Sequence, residues 1–297
     1  MTTTGEKPLT ERMRPDGSYL DMTAYEKAGG YQAIRKVLAG MQPQAVIDLV
    51  KDANLRGRGG AGFQTGMKWS FVPRGKDASP RYLVVNADEM EPGTFKDRML
   101  MERDPHQLIE GAIIAAFAIE ADVAFVFLRG EYTMPAGRLT RAIREAYDRH
   151  YLGKNILSSG YSLELHLHLS GGRYICGEET ALLNALEGKR ANPRSKPPFP
   201  VVVGLFGKPA VVNNVETISC VPHIINKGAA WFRGLGRGKD AGTKLYGVSG
   251  KVKRAGLWEL PIGTPAREIV EEHAGGMFPL ALLNVLLTGA VVLKWGR

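Results

Sequence analysis

Four stretches of this sequence carry residue types whose spacing can do chemistry. The first runs Arg56-Gly57-Arg58-Gly59-Gly60-Ala61-Gly62-Phe63-Gln64-Thr65-Gly66-Met67-Lys68-Trp69. Glycines let backbone N–H groups converge on an anion, and Arg56, Arg58 and Lys68 add positive charge. Phe63, Trp69 and Phe71 beside such a loop can stack on a flat ring. The stretch is not a dinucleotide fingerprint, because it follows a helical pattern rather than a strand and has no acidic residue at the usual distance. A flexible surface turn is the competing reading.

The second stretch, Asn86-Ala87-Asp88-Glu89-Met90-Glu91-Pro92-Gly93, follows a short apolar run. It sits where a strand should end, the position at which open α/β sheets bind ligands. Asp88, Glu89 and Glu91 repel one another unless hydroxyl or amide donors share them, and sugar hydroxyls are suitable donors. A solvated acidic turn is the alternative. The third stretch is Gly171-Gly172-Arg173-Tyr174-Ile175-Cys176-Gly177-Glu178-Glu179-Thr180. Its glycines allow close approach of a ligand, and a helix should open at the acidic pair, where carboxylates also complement the helix dipole. Cys176 reads as a small buried residue, since no neighbouring base marks it as a nucleophile. His166 and His168 share one strand face, as a polar surface pair or two of a metal's ligands. In the fourth stretch a proline-stiffened loop, Arg190 to Pro200, presents Lys196 and Phe199 and can clamp a flat base. Asn213-Asn214-Val215-Glu216-Thr217 follows, where asparagine can cap a helix and offer an amide to a phosphate.

The elements around these stretches alternate. Apolar spacing predicts helices over Tyr25–Leu38 and Gln44–Asp52, then the glycine loop, then a buried strand at Tyr82–Val85. Asp104-Pro105 opens a buried helix that continues through Leu108–Ile119. A strand at Val123–Leu128 and an amphipathic helix at Pro135–His150 come next. Leu163, Leu165, Leu167 and Leu169 alternate with polar residues, as in a half-buried strand. Helices are expected from Glu178 to Leu186 and from Val215 to Asn226. Gly234–Gly242 reads as a flexible link, and Lys244 to about Val270 as two short strands and a helix start. This order predicts an α/β fold with a largely parallel sheet.

Composition narrows the partners. Glycine supplies 36 of the 297 residues, roughly 12% against about 7% in ordinary proteins, which suits a ligand cradle. The net charge of +9 is scattered rather than gathered into a basic run, so a phosphate-bearing ligand or an acidic partner explains it better than nucleic acid. Cys176 and Cys220 are the only cysteines, which points to a reducing compartment. Two thiols cannot ligate a four-cysteine cluster. Met1 to Ser18 is polar, so no signal peptide is expected, and no apolar stretch reaches the roughly 18–20 residues that span a bilayer.

Taken in order, R-G-R-G-G-A-G-F-x-T-G-x-K-W, N-A-D-E-x-E-P-G, Y-I-C-G-E-E-T-A-L, A-N-P-R-x-K-P-P-F-P and N-N-V-E-T closely resemble the NADH-binding, FMN-containing subunit of respiratory complex I, from about Asn54 to Gly276. The resemblance implies a Rossmann-like FMN-binding domain at 54–240, after a helical extension at 1–53. A partial ubiquitin-like β-grasp module would follow at 241–297. It implies that Gly57, Arg58, Gly60, Lys68, Asn86, Asp88, Glu89, Tyr174, Gly177, Glu178, Asn213 and Asn214 surround FMN. Phe63, Phe71, Glu91, Glu179, Lys196 and Phe199 would face NADH, with the three phenylalanines on the adenine and the two glutamates on ribose or nicotinamide. The implied reaction is hydride transfer from NADH to FMN, with no side chain as acid or base. FMN is expected rather than FAD, and NADH rather than NADPH.

The same resemblance implies other peripheral-arm subunits as partners, above all the 2Fe–2S thioredoxin-like subunit. It places the chain on the cytoplasmic side of the inner membrane without insertion. Family members more often carry serine where Met90 stands. They also carry a helical bundle with a 4Fe–4S cluster, whose cysteine motif is absent from these 297 residues; a shortened or frame-shifted reading would produce that. The apolar run Leu280–Leu293 departs from the family and is expected to promote aggregation. Two other readings stay open: the diaphorase subunit of an NAD-linked hydrogenase or formate dehydrogenase, and a non-catalytic remnant.

Overall fold

The computed structural model describes residues 5–75 and 78–278, together with the backbone of Asn284–Thr288 and Val291–Lys294. Three short helices come first: Met22–Lys27 (α1), Gln32–Leu38 (α2) and Pro43–Asp52 (α3). The sequence pattern reads as one helix across the first two. The break falls at Gly29-Gly30-Tyr31, where a Cβ on Gly30 would stand 2.1 Å from the Tyr25 ring and Tyr31 takes φ 58°. Thr65–Ser70 (α4) is a helical turn directly after the glycine loop, in a stretch whose spacing predicts only loop.

Tyr82–Ala87 (β1) begins the main sheet. Lys96–Arg103 (α5) and Pro105–Ala118 (α6) then lead to Val123–Leu128 (β2). Asp104 caps α6 by accepting from Gln107 N at 3.3 Å, with Pro105 in the first turn, as its sequence predicts. Thr133–Asp148 (α7), Glu164–Leu169 (β3) and Glu179–Leu186 (α8) follow. The chain returns as Ala210–Asn214 (β4), Val215–Ser219 (α9), Val221–Lys227 (α10) and Ala229–Gly234 (α11). Two of these elements run against the sequence pattern. β4 is a strand where only a helix cap is expected. The helix after Asn214 is interrupted at Cys220, with Pro222 in the first turn of α10.

The strand order is β3-β2-β1-β4, and every pairing is parallel. Alternation along β1 sends Leu83, Val85 and Ala87 into a large core shared with α1–α3, α6, α7, α9 and α10. Val84, with Phe127 of β2 and Val212 of β4, faces a smaller core under α8 and Leu205. Both faces are thus covered, as a parallel sheet requires. α6 crosses α9 closely: a Cβ on Gly111 would lie 2.2 Å from Ile218 O, so only glycine fits. The chain adds β2 and β3 on one side of β1 and then crosses back to lay β4 on the other. The order therefore reverses between β1 and β4, where the carboxyl ends of neighbouring strands open a crevice.

A second sheet follows the 234–242 stretch, which is a held connection rather than a loose one. Arg237 N donates to Ile262 O at 2.8 Å, Gly242 N to Phe232 O at 2.9 Å, and Leu235 and Ala241 are buried. Thr243–Ser249 (β5) and Gly256–Pro261 (β6) form an antiparallel hairpin, followed by the short Ala266–Glu268 (α12). Asn284–Thr288 (β7) and Val291–Lys294 (β8) complete the order β6-β5-β7-β8, all antiparallel. The side chains of the apolar run Leu280–Leu293 lie outside the described residues. The amino-terminal segment is tied to this sheet by Glu259, whose carboxylate accepts from Leu9 N at 3.1 Å, Thr10 N at 2.9 Å and Thr243 Oγ1 at 2.5 Å.

Candidate functional site

At the reversal between β1 and β4 lies a cavity of about 460 Å³. Of the residues singled out in the sequence, Arg58, Gly60, Asn86, Asp88, Glu89, Glu91, Tyr174, Gly177, Glu178 and Asn214 line it. Segments more than 150 positions apart in the chain therefore share one enclosure. Two close approaches build its walls. A Cβ on Gly59 would stand 3.0 Å from Asn214 Cβ, and one on Gly177 would stand 3.3 Å from Asp88 O. Gly60 takes φ +134° with nothing within 4 Å, leaving its backbone open to the cavity. Gly57 fixes the loop from behind, its N–H donating to Phe63 O at 2.9 Å.

The acidic stretch after β1 divides its work. Asn86 Nδ2 donates to Gly177 O at 2.9 Å, joining the strand end to the third stretch. Asp88 Oδ1 accepts from Ser170 Oγ at 2.7 Å, whereas its Oδ2 is buried without a partner. Burial raises the Asp88 carboxyl above its ordinary range, against the Ser170 hydrogen bond. Glu89 turns away to cap α5, accepting from Asp97 N and Arg98 N at 3.0 Å each and from Tyr132 OH at 3.1 Å. Burial first, and Asp97 next, push its carboxyl up to about 7. Glu91 stays at the exposed mouth, where Tyr174 OH donates to it at 2.7 Å.

Arg58 and Lys68 commit their terminal nitrogens to protein partners, which their sequence positions do not imply. Arg58 is buried, and its guanidinium donates to Arg56 O at 2.9 Å, Ala241 O at 3.0 Å and Thr243 O at 3.2 Å. It thus binds the loop to the start of β5. Lys68 is not in the cavity lining. Its ammonium donates to Val212 O at 2.8 Å and to Glu179. Asn213 Oδ1 accepts from Trp69 Nε1 at 2.8 Å. Asn214 caps α9 by accepting from Glu216 N at 3.0 Å, and its amide donates to Asp97 Oδ2 at 2.6 Å.

A second cluster adjoins the first through Glu178 and Glu179. Lys196 lies 3.0 Å from Glu179 Oε2 and 3.6 Å from Glu178 Oε1. Burial opposes ionisation of Glu179, but Lys68 and Lys196 outweigh it and hold its carboxyl below the usual range. Phe63 and Phe71 are 54% and 52% exposed, with ring centroids 6.4 Å apart, an apolar pair with open faces. Phe199 is equally exposed and makes no ring contact with either of them among the described residues.

Thr94, Lys96 and Asp97 line the cavity although nothing in the sequence pattern marks them. Thr94 Oγ1 is a second buried oxygen without a partner. Charged residues are normally read as solvent-facing, which hides a buried Lys-Asp pair. The one available signal is their place just after the acidic stretch. Other candidates resolve to packing. His166 sits 5.4 Å from the Phe125 ring, and His168 stacks on Phe127 at 5.2 Å. Among the described residues no group of three side chains is arranged to hold a metal. Cys176 is buried with its thiol raised by burial, and Cys220 is pushed up to about 12 by burial, so neither is an activated nucleophile. No helix among the described residues is long and apolar enough to cross a membrane.

Comparison with known proteins adds relatives to this geometry. A family model described as the Nuo51 FMN-binding domain matches residues 50–223. The chain is 56% identical over 277 residues to an NADH-quinone oxidoreductase polypeptide of Rhizobium meliloti, covering 93% of this chain and 65% of that protein. It is 56% identical over 270 residues to the corresponding NADH-quinone oxidoreductase polypeptide of Escherichia coli, covering 91% of this chain and 61% of the relative. The chain thus spans somewhat less than two thirds of the length of these relatives. Among solved structures, an NAD+-reducing [NiFe]-hydrogenase in its H2-reduced state superposes with a TM-score of 0.75 at 41% identity. That match covers 88% of this chain and 44% of the hydrogenase chain.

Proposed function

We propose that this chain, which belongs to the Nuo51 FMN-binding domain family, holds FMN in the cavity between β1 and β4 and uses it to oxidise NADH, the electron-entry step of an NADH:quinone oxidoreductase. The observation that carries this reading is the pair of buried oxygens, Asp88 Oδ2 and Thr94 Oγ1, that stand unpartnered in a cavity walled by glycine backbone. Buried polar atoms without partners are costly, and the hydroxyls of a ribityl chain are of the kind that satisfies them. Glycine backbone at Gly59, Gly60 and Gly177 leaves room for a close-fitting flat ligand.

When bound, the flavin supplies the acceptor for a hydride from the nicotinamide. The chain's own part is to bind and orient. Gly57, Arg58 and Gly60 shape one wall, and Asn86, Asp88, Glu89, Tyr174, Gly177 and Glu178 the other. Asn214 joins the glycine wall to α5. Lys68 and Asn213 act from behind, by fixing Glu179 and Trp69. Phe63 and Phe71 offer open ring faces to the adenine of NADH, with Phe199 as a third, while Glu91, Glu179 and Lys196 meet its polar groups. No side chain is required as acid or base.

In this reading 1–53 is a helical extension, 54–240 the Rossmann-like FMN and NADH domain, and 241–297 part of a β-grasp module, supported by the β5–β6 hairpin followed by α12. Its partners are the other peripheral-arm subunits, above all a 2Fe–2S thioredoxin-like one, on the cytoplasmic face of the membrane. The hydrogenase diaphorase remains the second reading, supported by the solved structure at 41% identity against 56% for the quinone oxidoreductase relatives. Denaturing the purified, folded protein and identifying the released flavin tests the assignment. FMN is expected; FAD, or no flavin, would overturn it.

A further inference from the structure

Ser170 follows β3 directly, and its hydroxyl belongs to none of the four stretches singled out in the sequence. The residue is buried and does not itself line the cavity. Its backbone is fixed first. Ser170 N donates to Leu128 O at 2.7 Å, and a Cβ on Gly130 would lie 2.4 Å from Ser170 O, so the chain after β2 and the chain after β3 are pressed together. The hydroxyl is then committed in both senses. Its oxygen accepts from Gly172 N at 3.2 Å, and its single proton goes to Asp88 Oδ1 at 2.7 Å. Asp88 is anchored on its own side, with its N–H donating to Asn86 Oδ1 at 3.1 Å. With Oδ1 taken, Oδ2 is the oxygen left over, buried and without a partner. It lies 4.0 Å from where a Cβ on Gly177 would stand, and Gly177 lines the cavity, so the absent side chain leaves the space beside Oδ2 open.

On the reading that the cavity takes a flavin, we propose that Ser170 is a positioning residue for it: the hydroxyl holds the Asp88 carboxylate with one oxygen engaged and presents the other to the ribityl chain as a fixed acceptor. The last bond of an aspartate side chain turns in a broad, shallow well, and an acceptor free to turn loses entropy when a ligand fixes it. Ser170 removes that freedom before the ligand arrives. Its hydrogen bond also favours the ionised carboxylate, against burial, and an ionised Asp88 is acceptor-only, matched to a ligand that offers hydroxyl protons. Arg129 is engaged elsewhere, donating to Glu131 Oε2 at 3.2 Å and to Glu89 O at 2.9 Å. Through Gly172 N, the same hydroxyl ties Asp88 to the start of the segment that brings Tyr174, Gly177 and Glu178 to the cavity. One side chain behind the cavity therefore sets two of its wall segments against each other.

The test strips the purified chain of flavin and titrates it with FMN and with lumiflavin, which has the ring but no ribityl chain, following flavin fluorescence. Wild type is compared with Ser170→Ala, Ser170→Thr, Asp88→Ala and the double variant Ser170→Ala with Asp88→Ala. Ser170→Ala should weaken FMN roughly tenfold and leave lumiflavin unchanged. Ser170→Thr keeps the hydroxyl and should keep most of the FMN affinity. In the Asp88→Ala background, Ser170→Ala should cost nothing further, since it acts through Asp88. Equal losses for FMN and lumiflavin would mean that the hydroxyl only braces the wall, and would overturn the proposal. So would additive losses in the double variant, or a folded Ser170→Thr that binds FMN no better than Ser170→Ala. Should Ser170→Ala not fold, Ser170→Cys, with a weaker donor, takes its place in the same comparisons. A folded wild type that binds no FMN overturns the flavin reading itself, whereas one that binds FMN with no loss in Ser170→Ala overturns the positioning proposal alone.

Discussion

Asp88 and Thr94 each bring one buried, unpartnered oxygen to the cavity. Ser170 satisfies one carboxylate oxygen of Asp88, and the other is buried without a partner, which a ligand hydroxyl could supply. Asp88→Ala should weaken FMN binding by about 1–3 kcal/mol, roughly ten- to hundredfold, in a fluorescence titration; an unchanged affinity would take Asp88 out of the site. Glu91 and Glu179 make a second prediction. Both should repel the extra phosphate of NADPH, and Glu179 stays ionised between Lys68 and Lys196. NADH should therefore be favoured by about ten- to hundredfold in ferricyanide reduction, and Glu91→Gln or Glu179→Gln should narrow the gap. Equal turnover of the two donors by wild type would contradict this. The glycines and carboxylates of this site are legible in the sequence because their types are rare in combination. Lys96 and Asp97 are not, since burial of a charged pair depends on partners such as Glu216, which is more than a hundred positions away and comes close only through the fold.

The elements that place these residues tolerate little change where they cross. Gly111 lets α6 lie against Ile218 O, so Gly111→Ala should destabilise the fold by about 1–3 kcal/mol in denaturant unfolding; a wild-type midpoint would show that the helices can move apart. Glu259 binds the amino-terminal segment to β5 and β6, and burial pushes its carboxyl up to about 7 from an ordinary 4.5. A folded-state value above the unfolded one stabilises the fold most below the unfolded value, and that contribution is lost as pH rises through about 7. Thermal melting should accordingly fall between about pH 4.5 and 7, and Glu259→Gln should flatten the slope. A slope equal to wild type would show that Glu259 does not titrate in that window. β1 and β2 are readable as short apolar runs, and α6 by its cap and proline. β4 is hidden by its brevity and its Asn-Asn end, and α5 by carrying buried charges where an amphipathic helix should carry apolar residues.

At the scale of the whole molecule, function follows from one reversal in strand order. Laying β4 beside β1 brings Asn213 and Asn214 next to Asn86, and it carries the proline loop with Lys196 to the mouth beside Glu178 and Glu179. The second sheet closes the back of the glycine loop through Arg58 and of α9 through Glu216. We propose that this arrangement holds a flavin where NADH can reach it. An anaerobic titration of the flavin-loaded chain with NADH, followed by the visible absorbance of the bound flavin, probes that proposal without intermediaries. Bleaching should be complete near one equivalent of NADH per flavin. Bound FMN that keeps its oxidised spectrum through excess NADH would rule the proposal out.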